Sequence, residues 1–208
     1  MVAVARDVGR LEDLDDAIRK EGGTATLVPM DMKDFAAIDR AGQAVFERWG
    51  KLDALFGNAA ILGPLTPLTH LQPAAWTEIM QINLTASWRL IRAFDPLLRL
   101  SDAGRALFVS SAVAHGARPF WGPYAISKAA LESMVRTYAS ELAGTTVRAN
   151  ILNPGPTRTD MRAAAMPGED PMTLPAPEEL TPLIVELLSP ECGDNGELFA
   201  FKRGVAPS

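Results

Sequence analysis

Residues 108–134 read FVSSAVAHGARPFWGPYAISKAALESM. The apolar run Ala106 to Ser110 that enters this stretch reads as a buried strand, and Tyr124 to Leu142 reads as a helix with few breakers. Tyr124 and Lys128 stand four apart, so both side chains lie on one helical face, one turn from each other. A phenol ordinarily titrates near about 10, too high for easy proton exchange at neutral pH. A neighbouring ammonium favours the phenolate and suits such a group to acid–base work. Ser111 lies at the strand end, where its hydroxyl is placed to donate to an oxygen that gains negative charge. Each feature also has an ordinary reading. Tyrosine and lysine at this spacing are commonplace on helices, and serine at a strand end is commoner still.

Working outward, strand and helix signals alternate along the chain. Val2 to Ala5 reads as a short strand, followed by a helix with Leu11, Leu14, Ala17 and Ile18 on its apolar side and ended by Gly22-Gly23. Thr24 to Pro29 is a second strand. Asp34 is placed to cap a helix carrying Phe35, Ile38, Val45 and Trp49, which Gly50 closes. Leu52 to Phe56 is a third strand, and a long helix follows from about Pro73 to Leu98. Val147 to Leu152 is a fifth strand. The proline-rich segment from Pro156 to Pro177 reads as a loop or lid, Glu178 to Leu188 as a short helix, and Glu197 to Phe201 as a last strand. Such alternation implies parallel βαβ units with helices on both faces of the sheet. In these folds ligands bind at the carboxyl ends of the strands, here Arg6, Asp31, Gly57 to Ala60, Ser110-Ser111 and Asn153 to Thr159.

Bulk properties narrow the function. The 208 residues suit one domain, 1–208, with a sizeable core. Net charge is −5 with no basic run, which argues against nucleic acid. No apolar stretch approaches the roughly 20 residues of a membrane span, and the N-terminus lacks signal-peptide features. Cys192 is the single cysteine, so no internal disulfide forms and a reducing, cytoplasmic setting is expected. His70 and His115 lack ligand spacing, so no metal site is expected. His115 lies near Ser111, but no G-x-S-x-G elbow is present, which argues against a serine hydrolase.

The set of Ser111, Tyr124 and Lys128, with GNAA (57–60) after one strand, QINLTA (81–86) in the long helix and NPGPTRTDM (153–161) after another strand, resembles the short-chain dehydrogenase/reductase family of classical type. The likeness runs over almost the whole chain in the right order. It implies a Rossmann-like doubly wound parallel sheet and an NAD(P)-dependent oxidoreductase that moves hydride between nicotinamide and a small-molecule carbonyl or alcohol. By the same resemblance, Tyr124 exchanges the proton. Lys128 lowers the tyrosine pKa and holds the nicotinamide ribose, Ser111 polarises the carbonyl, and Asn83 holds a water in a proton relay. Asn83 has an alternative reading as a hydrogen-bonded structural group.

The resemblance places further residues at the cofactor. Asn58, Ala59 and Ala60 fit the family's Asn-Asn-Ala-Gly segment beside the ribose, with Gly57 in place of its first asparagine and Ala60 in place of its glycine. Pro154, Gly155, Thr157 and Thr159 match the loop at the nicotinamide amide, although Asn-Pro-Gly marks a turn in any case. Asp31-Met32 resembles the adenine-contacting pair, against a helix-cap or loop reading. Arg6 stands where NAD-selecting members carry an acid, and an arginine there accommodates a 2′-phosphate. NADP is therefore expected, with NAD possible and a plain surface arginine the alternative.

The family's first strand and its T-G-x-x-x-G-x-G turn, which cradles the pyrophosphate at a helix N-terminus, have no counterpart in these residues. The chain is thus expected to be an N-terminally truncated member whose sheet lacks the family's first strand. Either two strand edges then close on each other or the sheet is left defective. A homodimer or homotetramer is expected by resemblance. The competing function is a non-catalytic binding or oligomerisation module of the same fold, and an epimerase or dehydratase using the same tyrosine and lysine is a third.

Overall fold

The computed structural model describes residues 1–204. Six strands and seven α-helices follow one another in near alternation: β1 (Val2–Ala5), α1 (Val8–Lys20), β2 (Thr26–Pro29), α2 (Phe35–Trp49), β3 (Ala54–Gly57), α3 (Pro73–Met80), α4 (Ala86–Leu98), β4 (Arg105–Val109), α5 (Gly122–Glu141), β5 (Arg148–Asn153), α6 (Asp160–Ala165), α7 (Thr181–Leu187) and β6 (Leu198–Ala200). All strand pairs are parallel.

Local chemistry sets the helix ends. The Asp34 carboxylate accepts from the Ala37 N–H at 2.9 Å, and Gly50 leaves α2 in the left-handed region at φ 74°, where a side chain would be strained. The long helix expected over Pro73 to Leu98 is continuous but not regular. A π-helical turn, Gln81–Thr85, lies between α3 and α4, and such turns often mark functional positions. The proline-rich segment is more ordered than its composition suggests: Thr159 caps α6 by accepting from Arg162 N–H at 3.2 Å.

The strands form two sheets, β1-β2 and β3-β4-β5-β6, with no ladder between β1 and β3. Of the two outcomes expected for the strand edges, closure on each other does not occur. Each of these strands keeps one unpaired edge, and Val4 and Phe56 are exposed there. The four-stranded sheet is covered on both faces. Successive strand residues point to opposite sides, so Phe108 enters a core built with Val45, Ile91, Phe94, Leu98, Leu131 and Val135, while Leu107 packs with Leu152, Leu187 and Cys192 on the other face. Met30, Ile38 and Ala86 form a smaller cluster under the two-stranded unit. Among the described residues no helix is long and apolar enough to cross a membrane.

Candidate active site

The carboxyl ends of the parallel strands deliver the expected residues to two places. Arg6 follows β1 and Asp31-Met32 follow β2, so these three belong to the two-stranded unit. Asn58 to Ala60 follow β3, Ser111 follows β4, and Pro154 to Thr159 follow β5, all on the four-stranded sheet. Of the second group, Ser111 lies beside Tyr124 in the first turn of α5.

Tyr124 sits in the first turn of α5, buried beside Trp121, with the rings edge to face at 6.2 Å between centroids. Leu62, Val113, Met161 and Met166 pack on this pair and Ala165, so α6 and its flanks roof the phenol with apolar side chains. The turn that launches α5 holds Phe120 at φ 73°, a left-handed conformation uncommon for a non-glycine residue. Its carbonyl accepts from Thr66 N–H at 3.1 Å, which ties down that turn.

Lys128, one turn on, is 2% exposed and donates from Nζ to the Val109 carbonyl at 2.7 Å. Its ammonium lies 5.8 Å from the Tyr124 ring centroid. Burial pulls the Lys128 pKa down to about 8. Burial pushes the Tyr124 phenol up, and the Ser111 hydroxyl beside it offsets part of that rise. This direction is opposite to the one expected from a tyrosine–lysine pair. The ammonium is engaged by the strand carbonyl, and desolvation of the phenolate dominates.

Asn83 lies in the π-helical turn and is fully buried. Its Oδ1 accepts from the Ile61 N–H at 2.8 Å, and its Nδ2 donates to the Ile61 carbonyl at 2.9 Å and to Ser127 Oγ at 3.0 Å. Ser127 Oγ in turn donates to the Tyr124 carbonyl at 2.8 Å. Asn83 therefore ties the loop after β3 to α5, the structural reading of this residue.

The remaining residues are placed as follows. Gly57 faces Phe108 so closely that a Cβ would run into its ring. Asn58 and Ala59 are exposed, and Ala60 is half-buried. Gly155 takes φ 66° with its N–H on Asn153 Oδ1 at 3.1 Å, which forms the Asn-Pro-Gly turn, and Thr157 donates to the Pro154 carbonyl at 3.2 Å. Asp31 accepts from the Lys33 N–H at 2.8 Å, a local turn, and Met32 packs against the cluster under β2. Arg6 is exposed and makes no ion pair among the described residues.

A nicotinamide dinucleotide can be tested against these groups. Lys128 spends one of three ammonium hydrogens on Val109, so a buried donor remains for a ribose hydroxyl. That end fits. The helix N-terminus nearest Arg6 already holds an anion: the Asp7 carboxylate caps α1 by accepting from Arg10 N–H at 3.1 Å, so a diphosphate would meet a like charge there. The described residues thus leave a buried donor at Lys128 for a ribose hydroxyl, whereas the capped end of α1 does not suit a diphosphate. They also contain no cluster of three or more metal-ligating side chains.

Glu132, near the site, escapes the sequence reading, and its partner Ser110 is placed there at a strand end without a role. Ser110 and Glu132 are both buried and share a hydrogen bond. The signal was the spacing 124, 128, 132, which puts Glu132 on the same helical face as the tyrosine and lysine.

The short chain dehydrogenase model matches residues 1–170. The chain belongs to the short-chain dehydrogenase family. It is 41% identical to the oxidoreductase YciK of Escherichia coli K12 over 146 residues, which are 70% of this chain and 58% of YciK. The match thus spans little more than half of that curated relative. Among solved structures, a short chain dehydrogenase from Pseudomonas syringae shares 37% identity at a TM-score of 0.92, covering 96% of this chain and 83% of the other. One from Escherichia coli CFT073, complexed with NADPH, shares 33% identity at a TM-score of 0.91, covering 96% and 84%.

Proposed function

We propose that this chain acts as an NADP(H)-dependent oxidoreductase on a small carbonyl or alcohol, with Tyr124 as its acid–base. The observation that carries the reading is the cluster at the start of α5. A buried phenol has the Ser111 hydroxyl against it, and a 2%-exposed ammonium lies one turn away. A buried lysine without an acidic partner is costly to keep for stability alone. The family relative with NADPH bound supports the choice of cofactor, as does the exposed Arg6 at the end of β1.

NADPH, when bound, would supply the hydride for the carbonyl carbon. Tyr124 Oη gives its proton to the carbonyl oxygen in reduction and takes it back in alcohol oxidation. Ser111 donates a hydrogen bond to that oxygen as its negative charge grows. The Lys128 ammonium would hold ribose hydroxyls with the hydrogens that Val109 leaves free. Asn83 fixes the loop after β3 against α5. Asn58, Ala59, Ala60, Pro154, Gly155, Thr157 and Thr159 would hold the cofactor's nicotinamide end, and Arg6, Asp31 and Met32 its adenosine end. A homodimer or homotetramer is the assembly proposed.

A second reading, a non-catalytic module, is favoured by one observation: the capped N-terminus of α1, which does not suit a diphosphate. NADPH oxidation with a panel of aldehydes and ketones separates the two. Tyr124→Phe should cut turnover about 10²- to 10⁴-fold. Turnover untouched by this change would overturn the catalytic assignment. No turnover and no NADPH binding by the unsubstituted chain would favour the module.

A further inference from the structure

We propose that Glu132 is a positioning residue that holds Ser111 against Tyr124; the inference rests on the catalytic reading of Ser111 above. Glu132 lies one turn beyond Lys128 on α5 and is 2% exposed. Its Oε1 accepts from Ser110 Oγ at 2.6 Å, and His115 Nε2 lies 3.1 Å from the same oxygen. Its Oε2 is 3.6 Å from Arg136 Nη2. Ser110 and His115 bracket Ser111 and the 3-10 turn Ala112–His115. One carboxylate oxygen therefore pins both ends of the segment that presents the Ser111 hydroxyl. Lys128 grips Val109 just upstream, so a single face of α5 sets the tyrosine, the lysine and the serine in one frame.

The chemistry explains why a carboxylate stands there. A buried carboxylate is costly, and an apolar side chain would fill the space without that cost. Only an acceptor can take the Ser110 hydroxyl and face His115 at once. Glu132 makes no contact with the reacting groups, so its effect on catalysis passes through Ser111.

The test is hydrogen–deuterium exchange on the full chain, with Glu132→Leu, Glu132→Gln and His115→Ala beside the unsubstituted protein. The amides of Ala114 and Gly116, which donate to the Ser111 and Val113 carbonyls, report on the segment. Glu132→Leu should speed their exchange by roughly tenfold or more, the factor implied by losing a hydrogen bond to a charged acceptor. The β5 amides should not change. Glu132→Gln should preserve protection, because its amide oxygen still accepts from Ser110. His115→Ala should loosen the 3-10 turn by a smaller factor. In turnover assays Glu132→Leu should lower kcat with KM for NADPH unchanged, and Glu132→Gln should restore kcat.

Unchanged exchange at Ala114 and Gly116, acceleration spread evenly over the chain, or equal damage from leucine and glutamine would each overturn the proposal. If Glu132→Leu does not fold, unchanged exchange in His115→Ala overturns it instead. Failure of the catalytic reading shows separately, as absent turnover or turnover indifferent to Tyr124→Phe, and the exchange data still decide whether Glu132 holds the segment.

Discussion

The four-stranded and two-stranded halves of the molecule are made from the same βα repeat, yet they bury their residues very differently. In β4, Arg105 to Phe108 are all buried, and the helices on either side seal both faces. In β1 only Ala3 is buried, and β2 has no buried residue. The tyrosine, lysine and serine sit on the sealed half. The residues proposed to meet the adenosine end, Arg6 and Asp31-Met32, sit on the sparse one. Fixed geometry at the reacting atoms needs a packed frame. Contacts to the far end of a long cofactor can be held by lighter structure, which lets the two halves differ.

Paired truncations break or sharpen this contrast. Phe108→Ala removes a fully buried ring from the main core and should cost about 3–5 kcal/mol of unfolding free energy. Val4→Ala, at a side chain 42% exposed, should cost less than about 1 kcal/mol. Denaturant midpoints of the two variants measure the difference. Equal losses would mean that the two halves are equally tightly built.

Lys128 offers a test within the sealed half. Below about pH 8 it is charged in both the folded and the unfolded protein, and the fold bears the desolvation of a buried ammonium. From about 8 up to its ordinary 10.5 the folded protein sheds the proton while the unfolded chain keeps it. The unfolded state then binds more protons, so this residue makes stability rise with pH across that window. Lys128→Met should flatten that rise and, near pH 7, gain about 1–3 kcal/mol, the shift converted and reduced for the lost bond to Val109. It should also abolish turnover. Melting curves from pH 7 to 10.5, read as the difference between variant and parent, check the sign. A variant less stable at pH 7 would mean that the ammonium supports the fold.

The smallest effect is expected on the sparse half. Arg6→Glu should shift preference from NADPH towards NADH by about tenfold, through loss of the 2′-phosphate partner. The denaturant midpoint should stay put, because Arg6 has no ion pair to lose among the described residues. Equal affinities for the two cofactors before and after would remove Arg6 from the site.

Much of the fold was legible because its signals are local. Asp34 and Gly50 mark the ends of α2 through a side-chain cap and a left-handed residue, and both act within one turn. The π-helical turn at Gln81–Thr85 was not legible, since its apolar pattern runs on unbroken from α3 into α4. Helix α6 was hidden among prolines, although Thr159 is an ordinary cap in hindsight. The break between β1 and β3 depends on which edges meet in space, which strand patterns do not encode. At the site, Tyr124 and Lys128 could be placed from spacing alone. The raised phenol pKa could not, because it follows from burial under Trp121, Met161 and Met166. Glu132 reads as an exposed helix charge until Ser110 is seen against it.

The chain is expected to hold the nicotinamide ribose better than the diphosphate. Fluorescence titration with NADPH and with reduced nicotinamide mononucleotide, which lacks the adenosine half, tests this most directly. Dissociation constants within about tenfold of each other are expected, both weakened in Lys128→Met. NADPH binding a hundredfold or more tighter than the mononucleotide, about 2.7 kcal/mol, and still so in Arg6→Glu, would contradict this and point to a diphosphate site in these residues.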